Sequence, residues 1–311
     1  MTTAVPTIED FRAVLLRKRE ELRELEYFAS VCDNALHQAT KAVRSVELQR
    51  EIASALGEPP PFENDEQFEK AKSHASVIAK FAEAEKSAGL PYLFGLCAVR
   101  LWALMEALVD EIVVEAMRQP ERCKDQAALS RLKGPLVEFR AASPDEQAEF
   151  LAETLKQSVD ALLKPGIGRF EAILDPVGLG GSVDESVRKT LFELSQVRNV
   201  LVHKAGKADR RLVDGCTWLA LERGAIVRVS GKMFARYLLA AYWYLIEIRG
   251  RIDERFGGKR PAQTIHAHEL LLGDLAKLVK GEELAVVNSD DKRIAGDPER
   301  EVSHDEKSAS S

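Results

Sequence analysis

From Ile8 onward the chain places an apolar residue every three or four positions for nearly fifty residues. The series runs Ile8, Phe11, Leu15, Lys18, Leu22, Leu25, Ala29, Cys32, Leu36, Ala39, Val43, Val46, Arg50, Ala53, and twelve of these 14 positions are apolar. Alternating steps of three and four average 3.5 residues, the period of a coiled-coil seam. A chain with this opening is committed to long helices. Two uses of the seam are open. It can lie on the protein's own core, or fold into a hairpin near Asp33-Asn34; or it can form an arm (residues 1–60) that pairs between subunits. Alanine and cysteine at several seam positions make it thin.

Three prolines in GEPPPFEND (57–65) end this stretch, because proline cannot continue a helix. Asn64 is placed to cap a second helix reaching about Ser87, and GLP (89–91) ends that one. From Tyr92 to Met117 the chain is apolar almost all round, the mark of a helix at the centre of a core. Within it Glu106 interrupts the stripe Val99, Trp102, Val109, Val113, and a carboxylate there needs a partner. Ser143, Pro144 and Glu146 form a capping box. Ser182 with Glu185 is a second box, launching a helix through residue 203. CTWLALERGAIVRV (216–229) alternates about a turn at Arg223-Gly224 and predicts a short β-hairpin. Helix returns over 232–255 and again over 266–280. From about Val286 the chain is polar and aperiodic, and residues 285–311 are expected to be a disordered tail. The predicted class is all-α: a helical domain over 61–256 with one small hairpin, preceded by the arm and followed by a helical extension over 257–284.

Composition narrows the function classes. The chain of 311 residues is 45% apolar and 30% charged, with a net charge of −6, so no global basic surface marks it for nucleic acid, and any anion site must be local. Its four cysteines, Cys32, Cys97, Cys123 and Cys216, form no CxxC pair. That spacing predicts neither a zinc site nor a disulfide framework, and fits a reducing, cytoplasmic setting. The opening MTTAVPTIEDF has neither the basic head nor the apolar core of a secretory signal. The longest uncharged run, Ser87–Val99, is 13 residues, short of the about 20 needed to span a bilayer, so no membrane partner is expected. LDPVGLGG (174–181) lacks the Gly-Lys-Ser/Thr of a phosphate-binding loop.

The segment SQVRNVLVHKAGKADRRL carries the chemistry. At 100° per residue, Arg198 falls within the apolar sector of Val187, Leu191, Leu194, Leu201 and Val202. A guanidinium stays charged, so it requires an anion or water within reach. Asn199 and His203 share a different face with Ser195 and Gln196, and His203 lies about 140° around the helix from Arg198. Gly206 is a good helix terminator, with Lys204 and Lys207 suited to a helix C-terminus. Histidine can give or take a proton near neutrality. Arginine grips a phosphate and stabilises charge growing on it. Asparagine can orient the imidazole or hold a phosphate oxygen. The trio suits cleavage of an RNA phosphodiester without a metal, since the ribose 2′-hydroxyl supplies the nucleophile. From Arg198 to Arg211 there are five basic residues (Arg198, Lys204, Lys207, Arg210, Arg211) against Asp209, a local positive patch able to hold a polyanion.

These residues, in this order of helices, resemble the HEPN superfamily (higher eukaryotes and prokaryotes nucleotide-binding). Its members carry Arg, four to six residues, then His, often with a polar residue after the Arg, as in Arg198, Asn199 and His203. LSQVRNVLVHKAGKADRRLV, the later YWYLIEIRGRI and the earlier helix AVRLWALMEALVDEIV carry the likeness, which covers roughly residues 66 to 255. The resemblance implies a helical bundle that dimerises. It implies a metal-independent endoribonuclease, with no cofactor, whose two Arg-His pairs meet in a composite cleft. It also implies a place in toxin–antitoxin or phage-defence systems, with RNA as substrate and an antitoxin or other defence protein as partner. Lys204, Lys207, Arg210 and Arg211 are the expected RNA contacts. Other members are non-catalytic scaffolds, and the arm has no counterpart in the family's core.

Plainer readings stand beside this one. Arg198 can pair with Glu106 as a structural ion pair. His203 can serve only to cap a helix end. The chain can be a partner-binding scaffold, or a structural protein assembled by its arm. His266 and His268, two apart on a helix, point to different sides and make a poor metal site. Tyr237, Tyr242, Trp243 and Tyr244 recur at helical spacing and read as core rather than as base-stacking platforms.

Overall fold

The computed structural model describes residues 8–59, 61–125, 129–158 and 165–280. Among them are eleven α-helices: α1 (Ile8–Ala39), α2 (Ala42–Leu56), α3 (Asp65–Ser87), α4 (Pro91–Met117), α5 (Leu136–Ala141), α6 (Pro144–Ser158), α7 (Ile167–Leu174), α8 (Glu185–His203), α9 (Arg210–Gly215), α10 (Gly231–Gly257) and α11 (Ala262–Lys280). Short 3₁₀ turns cover Pro120–Arg122 and Thr217–Leu219. The protein is all-α. The tail expected to be disordered lies outside the described residues.

Local chemistry explains the helix starts. Asn64 accepts from the Gln67 amide at 2.9 Å, and the Ser143 amide donates to Glu146 at 2.7 Å while Ser143 Oγ accepts from the Glu146 amide at 3.4 Å, as the capping rules predict. The Ser182–Glu185 box does not form. Asp184 takes its place, accepting from the Ser186 amide at 2.8 Å, and the Ser182 carbonyl is occupied by Arg251. The long first helix breaks at Thr40–Lys41 rather than near Asp33-Asn34. The β-hairpin expected over 216–229 is absent among the described residues. Asp209 instead caps α9 through the Leu212 amide at 2.9 Å, and Thr217–Leu219 coils into a 3₁₀ turn. The alternating residues 225–227 pair with 206–208, around an isolated antiparallel bridge between Lys207 and Ile226.

The chain divides into two compact units. One comprises the described residues within 1–16, 108–191 and 239–311. Its core includes Ile112, Leu155, Phe170, Leu174, Tyr244, Ile248 and Leu275, with Phe11 stacked on Phe256 at 5.0 Å. Arg251, buried on α10, organises its polar interior. The guanidinium donates to Glu247 at 2.9 Å, to Glu171 at 2.9 Å, and to the carbonyls of Leu179 at 2.9 Å and Ser182 at 3.0 Å. The glycine-rich loop is thus held by its own carbonyls on a buried cation. At Gly180 a Cβ would come within 2.7 Å of the Asp175 backbone, so no larger residue fits that turn. His268 on α11 stacks on Trp243 at 4.7 Å, and its Nε2 is 3.5 Å from Glu247. His266 is exposed, and no cluster able to hold a metal ion occurs among the described residues.

The other unit comprises 17–107 and 192–238. Within it α1 with α2, and α3 with α4, form the two limbs of an antiparallel helical hairpin. Three ion pairs fix a constant register between the limbs: Arg50–Asp65 at 2.7 Å, Lys72–Glu47 at 2.8 Å and Arg100–Glu21 at 3.9 Å. Arg50 also covers the Phe68 ring at 4.4 Å. The 3.5-residue seam is buried in part inside this hairpin, with Cys32, Leu36, Ala39, Val43 and Val46 half-buried and Arg50 exposed. Leu22, Leu25, Ala29 and Ala53 are covered on the first limb, and Phe68, Ala75, Ala82, Leu93 and Cys97 on the second. The buried part of the seam serves the chain's own packing. Helix α4 is long and apolar enough to cross a membrane by length and composition, yet Ala98, Leu101, Met105, Leu108, Ile112 and Val113 are buried, as in a core helix. The expected aromatic core on α10 is present, with Phe234, Tyr237, Tyr242, Trp243 and Tyr244 all buried.

Two tests follow from the buried charges. Glu193 on α8 has a side chain only 2% exposed, and it accepts from Arg236 at 2.7 Å, Tyr237 at 2.7 Å and the Trp218 indole. Glu193→Ala strands all three donors and is expected to destabilise the protein by about 3–5 kcal/mol. Tyr237→Phe removes one bond and costs only ~1 kcal/mol. Urea unfolding of both variants measures the gap. For His268, burial pushes the imidazole pKa down, Glu247 pulls it up, and Arg260 pushes it down; the net is a lowered value. The unfolded chain, titrating near ~6.5, therefore takes up this proton first. Stability from this group is complete above that value and is lost as pH falls through the folded value. The urea midpoint should fall less between pH 7.5 and pH 5 in His268→Phe than in the unmodified protein.

Candidate functional site

Helix α8 carries the site. Its buried face runs through Val187, Leu191, Leu194, Val197 and Val200. The expected stripe holds for the first three residues and then shifts. Leu201 is half-buried and packs near Gly95 of α4, while Val202 is 47% exposed. Arg198 consequently lies at the margin of the buried face, not in its middle, with a side chain 24% exposed.

The surroundings of Arg198 are sparse. Its Nη2 is 3.8 Å from Glu106 Oε2, an ion-pair distance too long for a hydrogen bond. Its Nη1 donates to Asn199 Oδ1 at 3.4 Å. Its Nε is shielded from solvent and has no hydrogen-bond partner among the described residues. The sequence-based pairing with Glu106 is thus present as a loose contact. Asn199 and His203 are both exposed. Ser195, which shares their face in a helical projection, is buried and donates inward to the Phe192 carbonyl at 2.7 Å, and Gln196 donates to Ser195 at 3.1 Å. Of that face Asn199 and His203 are exposed, Gln196 is half-buried and Ser195 is buried.

Beyond His203 the helix ends in two left-handed residues, Ala205 (φ 49°) and Gly206 (φ 74°). The amides of Lys204 and Gly206 both donate to the Val200 carbonyl, at 3.0 and 2.9 Å, which satisfies an acceptor that the helix end leaves open. The chain then pairs with 225–227: the Val227 amide donates to the Gly206 carbonyl and the Ala208 amide to the Ala225 carbonyl, each at 2.8 Å. Lys204, Lys207, Arg210 and Arg211 are all exposed on this segment. Arg210 is engaged with Asp214 at 3.1 Å. The basic residues read from the sequence therefore lie on a short stretch anchored at both ends.

Glu193 and its donors escaped the sequence reading. The signal was present, since a glutamate stands between Phe192 and Leu194 on an apolar helix, the same pattern that singled out Glu106. Its partners Trp218, Arg236 and Tyr237 lie 25 to 44 residues further along the chain, beyond what helical spacing reveals. The cluster fastens the Thr217–Leu219 turn and the start of α10 to α8, just before the helix reaches Arg198.

No family model, curated protein or solved structure matches this chain.

Gly206→Ala places a Cβ in a left-handed turn that is otherwise unobstructed. The expected cost is about 1 kcal/mol, read as a lower thermal midpoint, together with faster hydrogen exchange at the Val227 amide.

Proposed function

We propose that the chain is a metal-independent endoribonuclease of HEPN type, acting as a homodimer in a toxin or phage-defence system. The observation that carries this reading is the end of α8. There His203 and Asn199 are open to solvent, Arg198 next to Asn199 has an Nε without a hydrogen-bond partner among the described residues, and an exposed basic segment follows. In the proposed reaction, His203 takes the proton from a ribose 2′-hydroxyl as its oxygen attacks the neighbouring phosphorus. The P–O5′ bond breaks, and a protonated histidine returns a proton to the leaving oxygen. The products are a 2′,3′-cyclic phosphate and a free 5′-hydroxyl. Arg198 stabilises charge on the phosphoryl oxygens, and Asn199 orients it through their hydrogen bond. Lys204, Lys207, Arg210 and Arg211 hold the flanking backbone.

Arg198 and His203 point about 140° apart on one helix. A cleft containing both is more readily made by two copies than by one, which supports the dimeric form of the reading. Glu106, near Arg198, fits a supporting role in holding the guanidinium. It also favours the second reading, a non-catalytic HEPN scaffold, because an arginine balanced by a carboxylate needs no substrate. An antitoxin or other defence protein is the proposed partner in either case.

Incubation with structured and single-stranded RNAs in the presence of EDTA separates the two. The enzyme reading expects cleavage that drops by at least ~100-fold in His203→Ala and in Arg198→Ala, with 2′,3′-cyclic phosphate ends. Absence of cleavage by well-folded protein on diverse RNAs leaves the scaffold. Cleavage that survives His203→Ala removes the proposed mechanism.

A further inference from the structure

The hairpin formed by α1–α2 and α3–α4 has two unlike sides. On a helix, the residue just before a seam position projects about 100° to one side of the seam, and the residue just after it about 100° to the other. In an antiparallel pair of helices, the preceding positions of both limbs fall on the same side. Phe28 precedes the buried Ala29, Ile52 precedes Ala53, Phe81 precedes Ala82, Tyr92 precedes Leu93 and Leu96 precedes Cys97. These five large apolar residues are between 48% and 65% exposed. The positions following the buried seam residues from Leu22 to Ala82 are polar, with Ser30, Ser54, Glu69, Ser76 and Glu83 among them, whereas Phe94 and Ala98 follow Leu93 and Cys97. One side of the hairpin thus carries a stripe of five large exposed apolar residues, separated by Glu21, Glu24, Gln67 and His74 at the other preceding positions, and the opposite side is hydrophilic between Leu22 and Ala82.

On α4, Arg100 faces α1 through Glu21. Gly95 and Glu106 face α8 through Leu201 and Arg198. Tyr92 and Leu96 lie on α4 between those two contacts, so the stripe runs along the side of α4 next to the one that faces α8.

We propose that this stripe is the seat of a second copy of the chain. Two hairpins then pack stripe to stripe around a two-fold axis as a four-helix bundle. Size supports a copy of the chain as occupant. At ~150–250 Å² for a large apolar side chain, five that are half to two-thirds exposed present roughly 500 Å² per copy. A standard interface takes about 800 Å² from each partner, a little over half of it apolar. Geometry supports it as well. A hairpin carrying the same stripe on both limbs is self-complementary under two-fold rotation, and the copy seated there brings its own α8 end toward the same edge. The last point rests on the proposed composite site; the stripe itself does not.

The test measures mass in solution on the full-length protein by light scattering across a concentration series. The unmodified chain should have twice its 34.5 kDa mass. The pair Ile52→Glu with Phe81→Glu, both surface positions towards the hairpin tip, should raise the dimer dissociation constant ~100-fold or more while leaving the thermal midpoint of a dilute sample unchanged. The pair Ser54→Glu with Ser76→Glu on the hydrophilic side should leave the dimer intact. The milder Phe81→Ser should give an intermediate shift, guarding against misfolding of the double variant. A monomeric unmodified protein overturns the proposal, as does a dimer that tolerates the stripe substitutions. RNA cleavage by a protein whose dimer tolerates them keeps the nuclease reading and removes this one. A stripe-dependent dimer that cleaves no RNA does the reverse.

Discussion

A carboxylate taken out of water must be bonded on both oxygens, and the geometry of residues 192–238 follows from meeting that demand at Glu193. One oxygen receives Arg236 and Tyr237, and the other receives the Trp218 indole. Burial raises the Tyr237 hydroxyl well above its usual pKa, and the neighbouring Glu193 charge raises it further, so the phenol remains a donor. The bonds draw the 217–219 turn and the start of α10 onto α8. Residues that alternate as a hairpin in sequence are then committed elsewhere, and 225–227 pair with the segment leaving α8. The basic stretch after His203 is positioned by that pairing.

The other unit solves the same problem with the charge reversed. Arg251 is buried with its donors spread over Glu247, Glu171 and two loop carbonyls. Arg260 donates to Glu247 at 2.7 Å. Burial alone raises the Glu247 pKa, but hydrogen bonds from Arg260 and Arg251 outweigh it and hold the carboxyl below its ordinary value. Such networks are costly when incomplete and specific when complete. Here they fix a glycine-rich loop and the return of α11, elements whose own sequences say little about where they should lie. Arg198 differs from both. It has a loose carboxylate and one weak amide contact, and it sits at the edge of its helix's buried face. In the proposed function this lightly bonded cation is the one that meets the phosphate.

The hairpin shows how one period serves two purposes. A 3.5-residue repeat buries part of the seam between the limbs. Alanine at many seam positions lets the limbs approach closely and leaves no space for bulk there. At Phe28, Ile52, Phe81, Tyr92 and Leu96 a larger apolar residue stands one position earlier, to the side of the seam. The stripe they form is what the chain's own packing leaves uncovered.

Much of this was legible in the sequence. The helical class, the Asn64 and Ser143 starts, the aromatic core of α10 and the end of α8 at Gly206 all follow from spacing and from residues within four positions of one another. The proximity of Arg198 and Glu106 was also legible, because two charges interrupting apolar stripes have few places to go. Four features needed the fold: the break at Thr40–Lys41, the replacement of the hairpin by a 3₁₀ turn, the donors of Glu193, and Arg198's place at the rim of its helix. Each depends on contacts between residues far apart in the chain. Helical periodicity fixes which side of a helix is apolar to within about one residue, and that margin separates a buried arginine from one at the edge. The sequence determined the helices and which residue types they carry. Only tertiary packing decided which of those residues are spent on the protein's own interior and which are left facing out.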